Sequence, residues 1–240
     1  MVSPLSRPQA VLLDVGGILH LPDHQRIRDA LARGGFTADA IHFDRAHYTG
    51  AVAFRADEPD VPWRQFWRRY LEAYVEVCGV PAALRPEVHR HLDSEFAVAE
   101  LWSRIIPGSV EGLRVLEAIG VRLGVVSNAD GTVQERLATQ GVLQVGPGTG
   151  VPVECVIDSG AVGVSKPDPR IFRLALEAMQ VEPADVWYVG DTPAIDVAGA
   201  RAAGLVPVVM DPYDLQDGAD YVRVRSLAEA AALVGAKTPG

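Results

Sequence analysis

Short apolar segments alternate with helix-like segments over most of this 240-residue chain, and this alternation limits the folds that it can adopt. Strands that are buried on both faces and separated by helices are typical of a parallel sheet. The chain is therefore predicted to be an α/β protein with a doubly wound parallel sheet. The strand-like segments are residues 9–15, 121–126, 154–157, 186–189 and 205–210, and the helix-like segments are 110–119, 132–140, 169–180, 194–203 and 226–234.

Residues 20–99 interrupt this alternation, because they contain several helical patterns and no convincing strand. We predict that they form an all-helical insertion, and that residues 1–19 and 100–240 form the core domain. Aromatic residues recur at helical spacing within the insertion, and a stripe of this kind favours packing over substrate binding. The stripe consists of Trp63, Phe66, Trp67, Tyr70 and Tyr74.

The composition excludes several classes of partner. A net charge of −9 opposes nonspecific binding to nucleic acid. The apolar runs are too short to cross a membrane, and the N-terminus lacks an apolar segment of signal-peptide length. Two cysteines without metal-type spacing indicate a reducing compartment. We expect a cytoplasmic protein without nucleic-acid or membrane partners, either a monomer or a homodimer.

The distribution of basic residues singles out one lysine. The chain has 20 arginines and two lysines, and because Lys237 lies in a polar tail, Lys166 is the only lysine expected in the folded body. All six histidines precede residue 92, so the second half of the chain must perform any chemistry without one. The glycine-rich segment 146–150 lacks the Lys-Ser/Thr of a phosphate-binding loop and is interpreted as a connector.

Polar residues follow several of the predicted strands. Asp14 ends the first strand and precedes the glycines Gly16 and Gly17, and Ser127-Asn128 ends the second. Taken alone, these residues fit turn and helix-cap chemistry as well as ligand binding. Ligands bind at the carboxyl edge of a parallel sheet, and there the hydroxyl of Ser127 and the amide of Asn128 can donate hydrogen bonds to an anionic oxygen.

Charged residues follow the later strands. Lys166 stands between a strand and a helix, where its ammonium complements anionic oxygens. Asp191 and Asp196 lie five residues apart across a strand-to-helix turn. Clustered carboxylates repel one another, so a cation is their natural partner, and oxygen ligands of this kind suit Mg²⁺.

In this order and spacing, the segments around Asp14, Ser127, Lys166 and Asp191…Asp196 resemble the four motifs of the haloacid dehalogenase superfamily. Ile106-Pro107-Gly108 and the segment 198–204 are similar to it as well. The helical insertion lies where the first-type cap domain of that family lies. The resemblance covers about residues 9–19 and 100–210.

The resemblance implies a hydrolase that acts on a small phosphorylated metabolite. Asp14 would attack phosphorus and form an aspartyl-phosphate. Ser127, Asn128 and Lys166 would bind the phosphoryl group, with Lys166 also offsetting the charge of the nucleophile. Mg²⁺ would be held by the metal residues of the family, which match Asp14, the backbone carbonyl of Gly16, Asp191 and Asp196. The cap would close over this site and select the leaving group.

The chain departs from the family pattern at Gly16, where most of the phosphatases carry an aspartate that acts as general acid and base. Three alternatives to a phosphatase therefore stay open: a 2-haloacid dehalogenase, a phosphomutase, and a non-catalytic binding protein. The metal-type Gly190-Asp191 disfavours the first, the missing acid/base disfavours the second, and the intact motifs disfavour the third. A further hypothesis makes His20 or His24 the proton donor.

Arginines of the insertion are candidates for holding a second anionic group of the substrate, although solvated surface is the commoner role for any one of them. They are Arg26, Arg45, Arg55 and Arg64.

Overall fold

A computed structural model describes residues 6–53, 63–216 and 219–236, without the side chains of Trp63, Arg64 and Phe66. The strands are β1 (Ala10–Leu13), β2 (His20–Pro22), β3 (Trp102–Ile105), β4 (Arg122–Ser127), β5 (Leu143–Val145), β6 (Val151–Val153), β7 (Cys155–Asp158), β8 (Val186–Gly190), β9 (Val206–Met210) and β10 (Val222–Val224). The helices are α1 (His24–Arg33), α2 (Phe43–Val52), α3 (Trp63–Val77), α4 (Arg85–Phe96), α5 (Ser109–Ala118), α6 (Val133–Thr139), α7 (Ser159–Val162), α8 (Pro169–Met179), α9 (Asp196–Ala202) and α10 (Leu227–Gly235). Single 3₁₀ turns cover Ala40–His42, Ala99–Leu101 and Pro183–Asp185.

Six strands form a parallel sheet in the order β10-β9-β8-β1-β4-β7, which confirms the predicted α/β class. Strand β1 lies between β8 and β4, so Leu13 pairs with Val189 on one side and with Val125 on the other. The carboxyl ends of these three central strands therefore meet at one edge, where ligands bind in sheets of this type.

The sequence of β1 shows why the sheet is covered on both faces. Its four residues are all buried, and they alternate between two hydrophobic clusters. Val11 and Leu13 pack into a cluster with helices α5, α6 and α10, whereas Ala10 and Leu12 pack into a cluster that contains Phe172 of α8. A strand that contacts apolar groups on both faces has a continuous apolar sequence instead of alternating apolar and polar residues.

The helices α1–α4 form a second body with a hydrophobic cluster of its own. Tyr70 and Tyr74 are buried in this cluster, and the ring of Trp67 stacks on that of Tyr70 with 4.8 Å between centroids. These contacts agree with the interpretation of the aromatic stripe as packing. The side chains of Trp63 and Phe66 lie outside the described part of the chain.

The prediction that residues 20–99 contain no strand is wrong at its first residues. His20–Pro22 forms β2, which pairs antiparallel with β3 and makes a two-stranded ribbon between the α/β core and the helices. A three-residue strand that contains proline has no recognisable strand pattern, because its partner lies some eighty residues further along the chain. The sequence also missed the short edge strand β10.

The glycine-rich segment 146–150 joins β5 to β6, two short strands that pair with each other outside the main sheet. The side chain of Gln144 closes this loop by accepting a hydrogen bond from Gly150 N and donating one to Gly150 O. Its interpretation as a connector agrees with this arrangement. Among the described helices, none is both long and apolar enough to cross a bilayer.

His20 is a buried histidine in β2. Burial lowers the pKa of His20 to about 4 against the opposing effect of the Gln140 side chain, and the nearby charge of Arg136 acts in the same direction as burial. Between pH 4 and the ordinary histidine value near 6.5, the unfolded chain thus binds a proton at this residue that the folded chain does not. The contribution of neutral His20 to stability is complete above pH 6.5 and is lost as the pH falls towards 4.

We therefore expect His20→Gln to flatten the loss of stability on acidification. The free energy of unfolding of the wild type should fall more than that of the variant between pH 7 and pH 4, by up to about 3 kcal/mol. Urea unfolding of both proteins across this range measures the difference. Parallel pH profiles would show that His20 is protonated as readily in the folded state as in the unfolded one.

Candidate active site

Asp14 follows β1 directly and stands at the central edge of the sheet, with its backbone N–H donating to Val189 O of β8. Its Oδ1 accepts a hydrogen bond from Val15 N at 2.8 Å, and its Oδ2 lies 2.8 Å from Lys166 Nζ. The neighbouring strand β4 ends in Ser127, which is also buried. The sheet thus brings together residues that are distant in sequence.

Lys166 is buried, and its ammonium is held in a fixed position by three oxygen partners. Besides Asp14, Nζ contacts Asp196 Oδ1 at 2.8 Å and the hydroxyl of Tyr188 at 2.7 Å. Burial alone would lower the pKa of Lys166, but the charges of Asp14 and Asp196 outweigh it and raise that pKa above its usual value. The side chain therefore stays charged.

Asn128 holds the backbone of Lys166 from both sides. Its Nδ2 donates to Lys166 O at 3.0 Å, and its Oδ1 accepts from Lys166 N at 2.8 Å. These two hydrogen bonds let Asn128 position the lysine, and its binding of the substrate stays a prediction. The two contacts are tertiary, since the loop before α8 passes next to the end of β4.

Asp196 begins α9, and both of its carboxylate oxygens are already engaged. Oδ1 accepts from Lys166 and from Tyr188, while Oδ2 accepts from the backbone amides of Asp191 at 3.0 Å and Thr192 at 2.9 Å. A carboxylate offers about four acceptor positions, so a direct bond from Asp196 to a metal would displace one of these partners. Contact through a water molecule would keep them all.

Three carboxylates converge at this edge with fewer positive charges than negative ones. Asp14, Asp191 and Asp196 each offer an oxygen atom within 4.8 Å of the others. Burial raises the pKa of Asp14 to about 6 against the opposing attraction of Lys166, and the other two carboxylates raise it further. Oxygen ligands with excess negative charge are the donor set that a hard divalent cation such as Mg²⁺ requires, so these residues fit the predicted metal.

The glycines after Asp14 fit tightly against the rest of the site. Gly17 has a φ of 68°, and a Cβ on it would lie 2.3 Å from Asp191 Oδ2, so both conformation and space require glycine there. A Cβ on Gly16 would lie 3.5 Å from Cζ3 of Trp102, which is ordinary contact. The indole of Trp102 thus borders Gly16.

His47 is a residue of the site that the sequence analysis did not identify. It lies in α2 of the helical body, it is 3% exposed, and its Nε2 is 2.8 Å from Asp191 Oδ2. Its Nδ1 is 2.8 Å from the hydroxyl of Tyr70, and the next residue, Tyr48, donates to Gly17 O at 2.7 Å. Nothing in the sequence marked His47, except that it is one of only six histidines.

The histidines proposed as proton donors from sequence have other surroundings. His20 is buried in β2, and His24 Nε2 lies 2.8 Å from Asp44 Oδ1. Two of the candidate arginines are also engaged elsewhere: Arg26 pairs with Glu95 at 2.8 Å, and Arg45 lies 5.9 Å from the ring centre of Tyr213. The side chains of the other two, Arg55 and Arg64, fall outside the described residues.

Comparison with known proteins gives consistent results. A phosphoserine phosphatase of Thermus thermophilus is 31% identical over 242 residues, with 94% of this chain and 91% of that protein covered. The haloacid dehalogenase-like hydrolase domain-containing protein 3 of Mus musculus is 34% identical over 143 residues, covering 59% of this chain, and this chain spans about half, 54%, of its length. The solved structure of a dehalogenase with an intermediate complex superimposes with a TM-score of 0.62 at 20% identity, covering 97% of this chain and 100% of that one.

The family model of the haloacid dehalogenase-like hydrolases matches residues 8–204, which include the whole described site. The chain belongs to the haloacid dehalogenase-like hydrolase family.

Proposed function

We propose that the protein is a Mg²⁺-dependent phosphomonoesterase that acts on a small phosphorylated metabolite through an aspartyl-phosphate intermediate. The observation that carries this proposal is the buried cluster in which Asp14 contacts Lys166 at 2.8 Å and lies beside the carboxylates of Asp191 and Asp196. The name of the Thermus thermophilus relative, phosphoserine phosphatase, supports the substrate class.

The chemistry proposed for Asp14 is nucleophilic. One carboxylate oxygen of Asp14 attacks phosphorus, the bond from phosphorus to the ester oxygen breaks, and the departing oxide takes a proton from water. Water then attacks the phosphorus of the aspartyl-phosphate, which releases inorganic phosphate and restores the carboxylate. Lys166 and the hydroxyl of Ser127 bind the phosphoryl oxygens, where a preorganised charge is most effective in a site shielded from water.

The proposed metal ligands are the carboxylates of Asp14 and Asp191 and the backbone carbonyl of Gly16, with Asp196 acting through water. A bound Mg²⁺ supplies positive charge that offsets the phosphate and the carboxylates. The proposal also includes a reducing cellular setting, since Cys78 and Cys155 are both free and buried thiols.

A 2-haloacid dehalogenase is the second candidate, because a dehalogenase shares this fold. Such an enzyme would use the same nucleophile without a metal. The three converging carboxylates favour the phosphatase, because they need more positive charge than the protein supplies. Among the described residues, only Lys166 and His47 contact these carboxylates with a group that can carry positive charge. Release of halide from a 2-haloacid without Mg²⁺ would favour the dehalogenase instead.

Replacement of the nucleophile tests the central assignment. The wild-type protein should release phosphate from an aryl phosphate such as p-nitrophenyl phosphate only when Mg²⁺ is present, and Asp14→Asn should reduce this rate to background. Turnover is measured with and without a chelator, and circular dichroism checks that the variant is folded. An Asp14→Asn protein with wild-type turnover would rule out the covalent mechanism.

Replacement of Lys166 tests the charge stabilisation. Lys166→Ala should lower kcat by about 10²-fold or more, because Lys166 is the only lysine among the described residues and the loss of one preorganised charge typically costs that much. Lys166→Arg serves as the control, since it keeps the charge but changes the geometry. A fall in kcat below about threefold for the alanine variant would make the lysine a structural residue only.

Substitution of Gly16 tests the missing acid. A general acid contributes about 10²–10⁴-fold when the leaving group is a poor one, so the wild type should favour aryl phosphates over alkyl phosphates. Gly16→Asp should narrow this gap by accelerating the alkyl esters, and Gly16→Ala, which adds only the Cβ that the site can accommodate, should not. The ratio of kcat/KM for the two ester classes is the measurement, and an unchanged ratio in Gly16→Asp would contradict the account.

A further inference from the structure

Helix α2 contributes two consecutive side chains to the α/β core. His47 Nε2 contacts Asp191 Oδ2 at 2.8 Å, and the hydroxyl of Tyr48 donates to Gly17 O at 2.7 Å. Both side chains are buried, and Tyr48 belongs to the hydrophobic cluster of the core, whereas Phe43 and Ala46 of the same helix belong to that of the helical body. The helical body therefore contacts two segments of the proposed metal site directly.

The hydrogen bonds determine the direction in which His47 donates. The ring of His47 lies between Tyr70 and Asp191, with Nδ1 2.8 Å from the Tyr70 hydroxyl. Asp191 Oδ2 is a carboxylate oxygen, which accepts, so this hydrogen bond is donated by His47 Nε2. Thr192 Oγ1 donates to the other oxygen, Asp191 Oδ1, at 3.0 Å.

The position of His47 depends on the placement of the helical body. One turn before it, Asp44 accepts hydrogen bonds from Arg104 of β3 and, at 2.8 Å, from His24 of α1. The ring of Trp102, at the start of β3, packs edge-on against His47 with 5.5 Å between ring centroids. These contacts tie α2 to the ribbon that connects the two bodies.

We propose that His47 is a positioning residue through which closure of the helical body fixes the metal ligand Asp191, so that Mg²⁺ binds more tightly when α2 is docked on the core. This inference rests on the metal site of the proposed function. Carboxylate ligands of metals are commonly oriented by hydrogen bonds from outside the coordination shell. Here that donor comes from the helical body instead of from the core, so metal binding and docking must strengthen each other.

Two substitutions of His47 separate its hydrogen bonds. In His47→Gln the side-chain amide nitrogen falls near the place of Nε2 and keeps a donor for Asp191. In His47→Asn the amide falls near the place of Nδ1, which keeps a partner for Tyr70 but leaves Asp191 without its donor. Tyr48→Phe is the control for docking, because it removes a hydrogen bond between the same helix and Gly17 without touching a metal ligand.

Calorimetric titration of the full-length proteins with Mg²⁺ tests the proposal. We expect His47→Asn to weaken Mg²⁺ binding about 10-fold or more, the scale for losing an outer-shell partner, and His47→Gln to stay within about threefold of the wild type. Tyr48→Phe should weaken Mg²⁺ binding less than His47→Asn does, because it loosens docking but keeps the donor to Asp191. Equal Mg²⁺ affinity in His47→Asn and the wild type would overturn the proposal. Tighter binding in His47→Asn would overturn it as well, because the histidine would then compete with the metal for Asp191.

Hydrogen exchange supplies a readout of docking that does not depend on turnover. Mg²⁺ should slow amide exchange in α2 of the wild type and of His47→Gln, and this protection should be lost in His47→Asn. Equal protection in all three proteins would contradict the coupling.

The metal titration also distinguishes this inference from the proposed function. A wild type that binds Mg²⁺ but hydrolyses no phosphate ester would refute the phosphatase alone, and the His47 variants would still decide the coupling. A wild type that binds no Mg²⁺ would refute both.

Discussion

The buried ion cluster around Lys166 is the constraint on which the rest of the structure depends. Moving charges out of water is costly unless each one finds partners, and repulsion between carboxylates adds to that cost. Lys166 meets this requirement by contacting two carboxylates and a phenol at once. Asn128 fixes the backbone of the lysine, and the turn before α9 provides backbone amides for Asp196. The surrounding elements are arranged so that few of these polar atoms lack a partner.

The same cluster explains local features that look unrelated. Gly17 must lack a side chain because Asp191 occupies the space beside it, and its left-handed backbone turns the chain away from β1 towards the ribbon. That ribbon leads to the helical body, whose helix α2 places His47 in contact with the carboxylate of Asp191. Asp191 therefore lies between a core glycine and a histidine of the helical body, 144 residues from the latter in sequence.

The two bodies have separate hydrophobic clusters, and this separation has a functional consequence. The helical body packs mostly around its own core, and Tyr48 is the residue of α2 that belongs to the cluster of the α/β core. The groups that join it to the core are hydrogen bonds from Tyr48 and His47 and the short β2–β3 ribbon. Directional polar contacts of this kind favour one arrangement of two bodies without making it permanent.

The sequence by itself determined the α/β class and the order of the polar segments along one sheet edge. Strands buried on both faces and carboxylates at strand ends leave a local pattern, because each depends on neighbouring residues. Short strands such as β2 and β10 have no recognisable sequence pattern, because their formation depends on pairing with strands elsewhere in the chain. Only the tertiary structure decided that Asn128 supports Lys166 and that His47 reaches Asp191. Those contacts arise when separate elements are packed together, and no spacing within one segment encodes them.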